Sequence, residues 1–178
     1  WFDSVDLNSV WIKILLTKSI LVAATSLLAF AFIFINLRLA VRATPVMDIF
    51  ESFESQDPLS RFREFFNERF LKYRLWGAIG LSIFLGAGAS QLWEQVLLFI
   101  NQKSFGVADP IFQNDVSSYV FGLPLYRLFV SWGFQLVIFT SFIIVLFFIA
   151  TGALQLRQGR LPEVSSGAKA HLSVLLAF

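Results

Sequence analysis

The sequence predicts an all-α fold, a polytopic transmembrane helical bundle of which this chain is a fragment, with an amphipathic interfacial helix on the cytoplasmic side. Three observations predict it. Hydrophobic residues make up 57% of the chain and charged residues only 15%, whereas a soluble domain carries roughly a quarter charged residues. The charges are gathered into blocks, which leaves runs near the ~20 mostly apolar residues that a bilayer-crossing helix needs. Basic residues are abundant in alternate connections between those runs and sparse in the one between.

The first span is expected over 19–37, with a start as early as Ile12. Lys13 and Lys18 near its start can extend their ammonium groups to the headgroups, and Arg38 and Arg42 close its other end. An amphipathic helix is expected over 58–74, with Asp57 as its cap and Pro58 at its first position. Leu59, Phe62, Phe66 and Phe70 recur there at helical spacing, while Arg61, Glu64, Glu68 and Lys72 occupy other faces. That pattern suits a helix lying along the membrane surface, or one packed on the rest of the protein.

The second span, 75–91, is short and rich in Gly and Ala. A polar, turn-rich loop over 92–127 separates it from the third span, 128–154, which is dense in Phe, Ile and Val. A fourth begins near residue 170. The chain opens at Trp1 without a Met and stops at Phe178 inside an apolar run, so a longer parent protein is expected.

The connection after the first span holds Arg38, Arg42, Arg61, Arg63, Arg69, Lys72 and Arg74, and that after the third holds Arg157, Arg160 and Lys169. The loop between them has only Lys103 and Arg127. The expected topology puts Trp1 outside, 38–74 in the cytoplasm, 92–127 outside and 155–169 in the cytoplasm.

Few residues offer chemistry. There is no cysteine, and the net charge of +2 gives no electrostatic case for nucleic acid. His171 is the only histidine, too little for a metal cluster or a catalytic triad. Asp109 and Asp115 lack the spacing of a calcium loop; they read as turn or cap residues, with Arg127 as an alternative partner for Asp115. Trp93 reads as an interface anchor, Glu94 as a carboxylate in water and Gln135 as a hydrogen-bonding group within the third span. No catalytic residue, metal site or cofactor is predicted. Ala78, Ser82, Gly86 and Ser90 recur at four-residue spacing, a small-residue seam that lets another helix approach closely.

The most specific string is Phe105-Gly106-Val107-x-Asp109-Pro110-x-Phe112-x-x-Asp115-Val116-Ser117-x-Tyr119-Val120-Phe121-x-Leu123-Pro124-x-Tyr126-Arg127. With Trp1-Phe2-x-Ser4-Val5, Asn36-Leu37-x-Leu39-Ala40-x-Arg42, the run from Trp93 to Asn101 and that from Ala168 to Leu176, it resembles the bacterial membrane proteins of uncharacterised protein family 0182. The chain departs from the family at Asp6-Leu7-Asn8, where a Gly-Tyr pair is usual. The resemblance implies further membrane helices before and after this chain and a sizeable outer region. It brings no catalytic residue with it.

The functional expectation is a structural or assembly subunit, or a partner docking site, in a larger membrane complex of a bacterial inner or internal membrane. Its partners would be the lipid bilayer and other membrane subunits. A transporter or channel component is the second reading, a pigment- or quinone-associated subunit the third, and an enzyme the least favoured.

Overall fold

The computed structural model describes residues 8–44, 60–155 and 163–177. They form helices α1 (Asn8–Ala43), α2 (Ser60–Ala87), α3 (Trp93–Ile100), α4 (Leu123–Thr151) and α5 (Ser166–Leu176). A 3₁₀ segment, Gly88–Leu92, joins α2 to α3, and a π-helical segment, Ser118–Gly122, leads into α4. Two-residue strands β1 (Leu154–Gln155) and β2 (Glu163–Val164) pair antiparallel, Leu154 with Val164. The fold class is all-α. Three stretches, Asn8–Ala43, Lys72–Ile100 and Ser118–Thr151, are long and apolar enough to cross a membrane.

Several boundaries differ from the sequence reading. Helix α1 has 36 residues, or about 54 Å at 1.5 Å per residue, well beyond a hydrocarbon core of about 30 Å. Helix α2 is unbroken from Ser60, so the amphipathic segment and the second span are one helix rather than two. The physical reason lies in Lys72-Tyr73-Arg74-Leu75-Trp76, which holds no Gly, Pro or capping residue to end a helix. Helix α4 stops at Thr151 because Gly152 takes a left-handed φ of 78° and its N–H returns to the Ile149 carbonyl. Asp57, Pro58 and Leu59 lie outside the described residues.

Two compact units divide the chain, Trp1–Ala29 with Ser82–Gln135 and Phe30–Leu81 with Leu136–Phe178. In the first, α1 meets the end of α2 at Gly86. A Cβ on Gly86 would strike the Ser26 hydroxyl and stand 2.8 Å from both the Cα and the N of Ser26. Glycine here lets two backbones approach. The helix then tightens into the 3₁₀ segment, where backbone hydrogen bonds run to different partners. Side chains from two other helices reach the carbonyls just before that transition. The Trp132 indole N–H donates to the Leu85 carbonyl (3.3 Å), and the Thr25 hydroxyl sits 3.3 Å from that of Gly86.

The second unit centres on His171 and Asn36. The Asn36 amide donates to the Phe32 carbonyl at 2.8 Å, which turns its oxygen toward His171 Nε2 at 3.1 Å. That oxygen can only accept, so Nε2 carries the imidazole proton. Phe148, fully buried, packs edge-on against the ring with centroids 5.9 Å apart. Ser165 caps α5 by accepting from the Ala168 N–H (3.3 Å), and Gly167 lets the first turn of α5 approach Ala43, where a Cβ would meet the Ala43 carbonyl oxygen.

The Gly86 contact yields a prediction. Gly86→Leu forces a branched side chain against the α1 backbone and costs about 1–3 kcal/mol or more. Phe84, 68% exposed, accepts Leu with little change. Thermal unfolding in mild detergent distinguishes the two; equal transitions for both variants would contradict the close approach.

Candidate functional site

The segment from Asn101 to Ser117 carries more specific structure than any other connection among the described residues. It begins where α3 ends, with the Asn101 N–H bonded to the Leu97 carbonyl at 3.1 Å. Residues on either side of a tight turn then pair. Ala108 bridges Asp115 in antiparallel fashion, the Asp109 N–H donates to Asn114 O (2.8 Å), and the Val116 N–H donates to Val107 O (3.0 Å).

Asp109 builds the turn. Its carboxylate accepts from the Phe112 N–H at 2.8 Å, the local geometry that makes Asp common in turns. The same oxygen accepts from the Tyr119 hydroxyl at 3.3 Å. The Gln113 N–H closes back onto the Asp109 carbonyl (2.9 Å), with Gln113 itself at a left-handed φ of 58°. Pro110 supplies a fixed φ next to Asp109.

Asp115 ties the turn to its base. Its carboxylate accepts from the Ser104 hydroxyl, the Phe105 N–H (3.1 Å), the Gly106 N–H (3.0 Å) and the Ser117 N–H (2.8 Å). The left-handed Gly106, at φ 71°, turns successive N–H groups toward that one carboxylate. These bonds stabilise the ionised form and hold the Asp115 carboxyl well below the usual carboxylate range, Ser104 contributing most and Ser117 and Phe105 next. The Asp115 carbonyl also accepts from the Ser118 N–H (3.0 Å) and hydroxyl (2.7 Å), which starts the next helix. No interaction of Arg127 with Asp115 is present among the described residues.

What this framework presents is apolar. Ile111 is 78% exposed and Phe112 70%. Closer to the base, Phe105 packs edge-on against Phe121 (5.8 Å), and Tyr126, itself exposed, packs edge-on against Phe99 (6.2 Å). Pro124 lies in the first turn of α4, where its missing N–H is tolerated.

The other sequence-predicted residues are distributed as follows. Ala78, Ser82 and Gly86 are buried and Ser90 is half-buried. Phe62, Phe66 and Phe70 belong to α2, and Leu59 lies outside the described residues. Glu94 and Gln135 are exposed. The Lys18 ammonium stands 5.2 Å from the Trp93 ring centroid. No group of three or more His, Asp or Glu side chains that could hold a metal ion occurs among the described residues.

Sequence reasoning assigned no role to Ile111, or to Ser104 and Ser117, whose donors reach Asp115. Seryl residues flanking a Gly and an Asp were the available signal.

The profile of an uncharacterised protein family (UPF0182) matches residues 1–178. The chain belongs to that family. It is 33% identical over 176 residues to a UPF0182 protein of Rhodococcus jostii and 35% identical over 176 residues to one of Mycobacterium tuberculosis. A Nocardia farcinica UPF0182 protein is 31% identical over 175 residues. Each match takes in 98% of this chain but only 17–18% of the relative. No solved structure matches.

The Asp115 bonds predict a pH dependence. A depressed folded pKa contributes stability that is complete above the unfolded Asp value of about 3.9 and is lost as pH falls toward the folded one. Amide-exchange protection at Phe105 and Gly106, corrected for intrinsic rates, should be constant between about pH 7 and 5 and decline only below about 4. Asp115→Ala should lower it roughly tenfold at pH 7, the equivalent of one charge-assisted hydrogen bond. Protection that falls between pH 7 and 5, or that survives Asp115→Ala, contradicts this account.

Proposed function

We propose that the chain is a structural part of a larger multi-pass bacterial membrane protein, and that its 101–117 loop is a preformed docking site for an extramembranous partner. The observation that carries this reading is the exposure of Ile111 and Phe112, at 78% and 70%, on a turn fixed by Asp109 and Asp115. Covering apolar surface is worth about 25 cal/mol per Å². A loop already held in shape loses little entropy when a partner covers it.

Two further observations support the reading. The chain spans less than a fifth of its relatives' length, 17–18%, so other parts of the same polypeptide join separate subunits as candidate partners. The excess of Arg and Lys in the connections after the first and third spans supports placing the loop outside a cytoplasmic membrane.

The test uses the full-length protein in mild detergent. Ile111→Ser with Phe112→Ser should reduce a stoichiometrically bound subunit about tenfold, or unprotect one extramembranous region of the same chain, while the loop's own amides stay protected. Unchanged association and unchanged protection contradict the docking role. For orientation, Gln102→Cys should react with an impermeant thiol reagent in intact cells; reaction only after permeabilisation inverts it.

A transport component is the second reading, because the 3₁₀ segment Gly88–Leu92 interrupts the Lys72–Ile100 span, and interrupted helices line transporter sites. Ion or solute flux in proteoliposomes that Gly88→Leu abolishes would favour it over docking.

A further inference from the structure

Helix α1 has one buried side over its second half. Ile33, Leu37, Ala40 and Thr44 recur at i, i+4, i+7 and i+11 and are all buried. A second strip begins beside that side and winds away from it, because four residues overshoot a 3.6-residue turn by about 40°. It consists of Phe30, Phe34, Arg38 and Arg42 at four-residue spacing. The two phenyl rings stack, with centroids 5.5 Å apart and planes within 15°. The Arg38 guanidinium carbon stands 5.5 Å from the Phe34 ring centroid, a cation–π contact. Both rings are half-buried and both arginines are exposed.

The strip has a direction. Its first two positions are aromatic hydrocarbon and its last two are cationic. At 1.5 Å per residue, Arg38 lies about 30 Å along α1 from Lys18, the thickness of a bilayer's hydrocarbon core. Lys18 itself sits over the Trp93 ring, a cation and an aromatic of the kind that anchor a helix at the other surface. The guanidinium groups therefore fall at the level of lipid phosphates, and the rings at the level of the first acyl carbons. A ligand with an anionic head and an apolar tail meets the strip in that order. A guanidinium presents a planar fork of N–H donors that matches two phosphate oxygens at once. The Phe34 ring restrains the Arg38 side chain, so less freedom is lost when those donors bind.

We propose that this strip binds an anionic phospholipid. One phosphate accepts hydrogen bonds from Arg38 and Arg42, and an acyl chain lies along Phe34 and Phe30. Residues at i and i+4 have Cβ atoms roughly 6 Å apart, close enough for two long side chains to converge on one phosphate. A choline lipid brings a fixed cation against the same two guanidinium groups, which offsets the attraction of its phosphate. Inorganic phosphate offers the charge but leaves the rings uncovered. The site rests on the membrane reading of the long helices and adds a lipid preference to it.

The experiment is native mass spectrometry of the full-length protein in detergent, titrated with dioleoyl phosphatidylglycerol or phosphatidylcholine, and with phosphatidylglycerol in competition with inorganic phosphate. Phosphatidylglycerol should be retained about tenfold better than phosphatidylcholine, the scale of two basic side chains at an anionic headgroup. Arg38→Gln with Arg42→Gln should bring the two lipids to equal retention. Both positions are exposed, so circular dichroism should show unchanged helix content. Phe34→Leu keeps both charges and should lower phosphatidylglycerol retention about threefold, as expected for one exposed cation–π contact. Lys13→Gln removes an exposed charge near the other end of α1 and should change nothing. Equal retention of the two lipids, a preference that survives the double arginine variant, insensitivity to Phe34→Leu, or an equal loss with Lys13→Gln overturns the site. Displacement of the lipid by an equal concentration of inorganic phosphate assigns the arginines to a soluble anion and overturns it as well. A protein that stays monodisperse without detergent or bilayer would instead overturn the membrane reading itself.

Discussion

A hydrogen-bonding group inside hydrocarbon has no water to satisfy it, and the structure depends on that constraint. The long helices meet it first through their own backbones. Thr25, Asn36 and Thr151 return a donor to the preceding turn, at Leu21 O, Phe32 O and Phe147 O, whereas the buried hydroxyls of Ser26 and Thr140 have no hydrogen-bond partner among the described residues. Where the helix changes pitch after Ala87, the Trp132 indole N–H of α4 donates to the Leu85 carbonyl, and the Thr25 hydroxyl of α1 lies 3.3 Å from that of Gly86. The place where regular backbone bonding gives way is thus the place that ties separate helices together. Gly86 makes this possible, because only a residue without a side chain lets Ser26 and its neighbours come close enough.

The same logic operates in the loop, with a carboxylate in place of helical carbonyls. The N–H groups of Phe105, Gly106 and Ser117 converge on Asp115, and the Phe112 N–H goes to Asp109. Two acids that lack metal-site spacing become the frame of the turn. With its backbone satisfied internally, the loop can hold Ile111 and Phe112 outward at no further ordering cost. The exposed apolar tip thus stands on a turn held by its own carboxylates.

Much of the fold was legible because membrane-length apolar runs are hard to mistake. The runs behind α1, α2 and α4 stand out in the sequence, although the third span was expected to reach 154 and α4 stops at Thr151, where Gly152 takes a left-handed φ. Spacing singled out Gly86, although it could not say that Ser26 faces it. The continuity of α2 was not legible, because an amphipathic pattern that turns into a uniformly apolar one suggests two elements even when no residue breaks the helix. Least legible were partnerships between distant positions. Asn36 and His171 stand 135 residues apart, and nothing in either neighbourhood announces the other. In the loop, the string from Phe105 to Arg127 marked the region, but which donors Asp115 collects depends on the φ of Gly106.

The account rests on the claim that the exposed apolar faces of the long helices are covered by lipid and that the loop tip is not. Nitroxide labels placed one at a time at Leu27, Phe84, Ile138 and Ile111 of the full-length protein in bilayers test it most directly. Collision with oxygen, which concentrates in hydrocarbon, should dominate at the three helix positions, each more than 60% exposed in the isolated chain. At Ile111, low access to both oxygen and a water-soluble nickel chelate would mark protein cover, and chelate access would mark an unoccupied dock. Chelate access at Phe84 or Ile138, or oxygen-dominated collision at Ile111, would contradict the account.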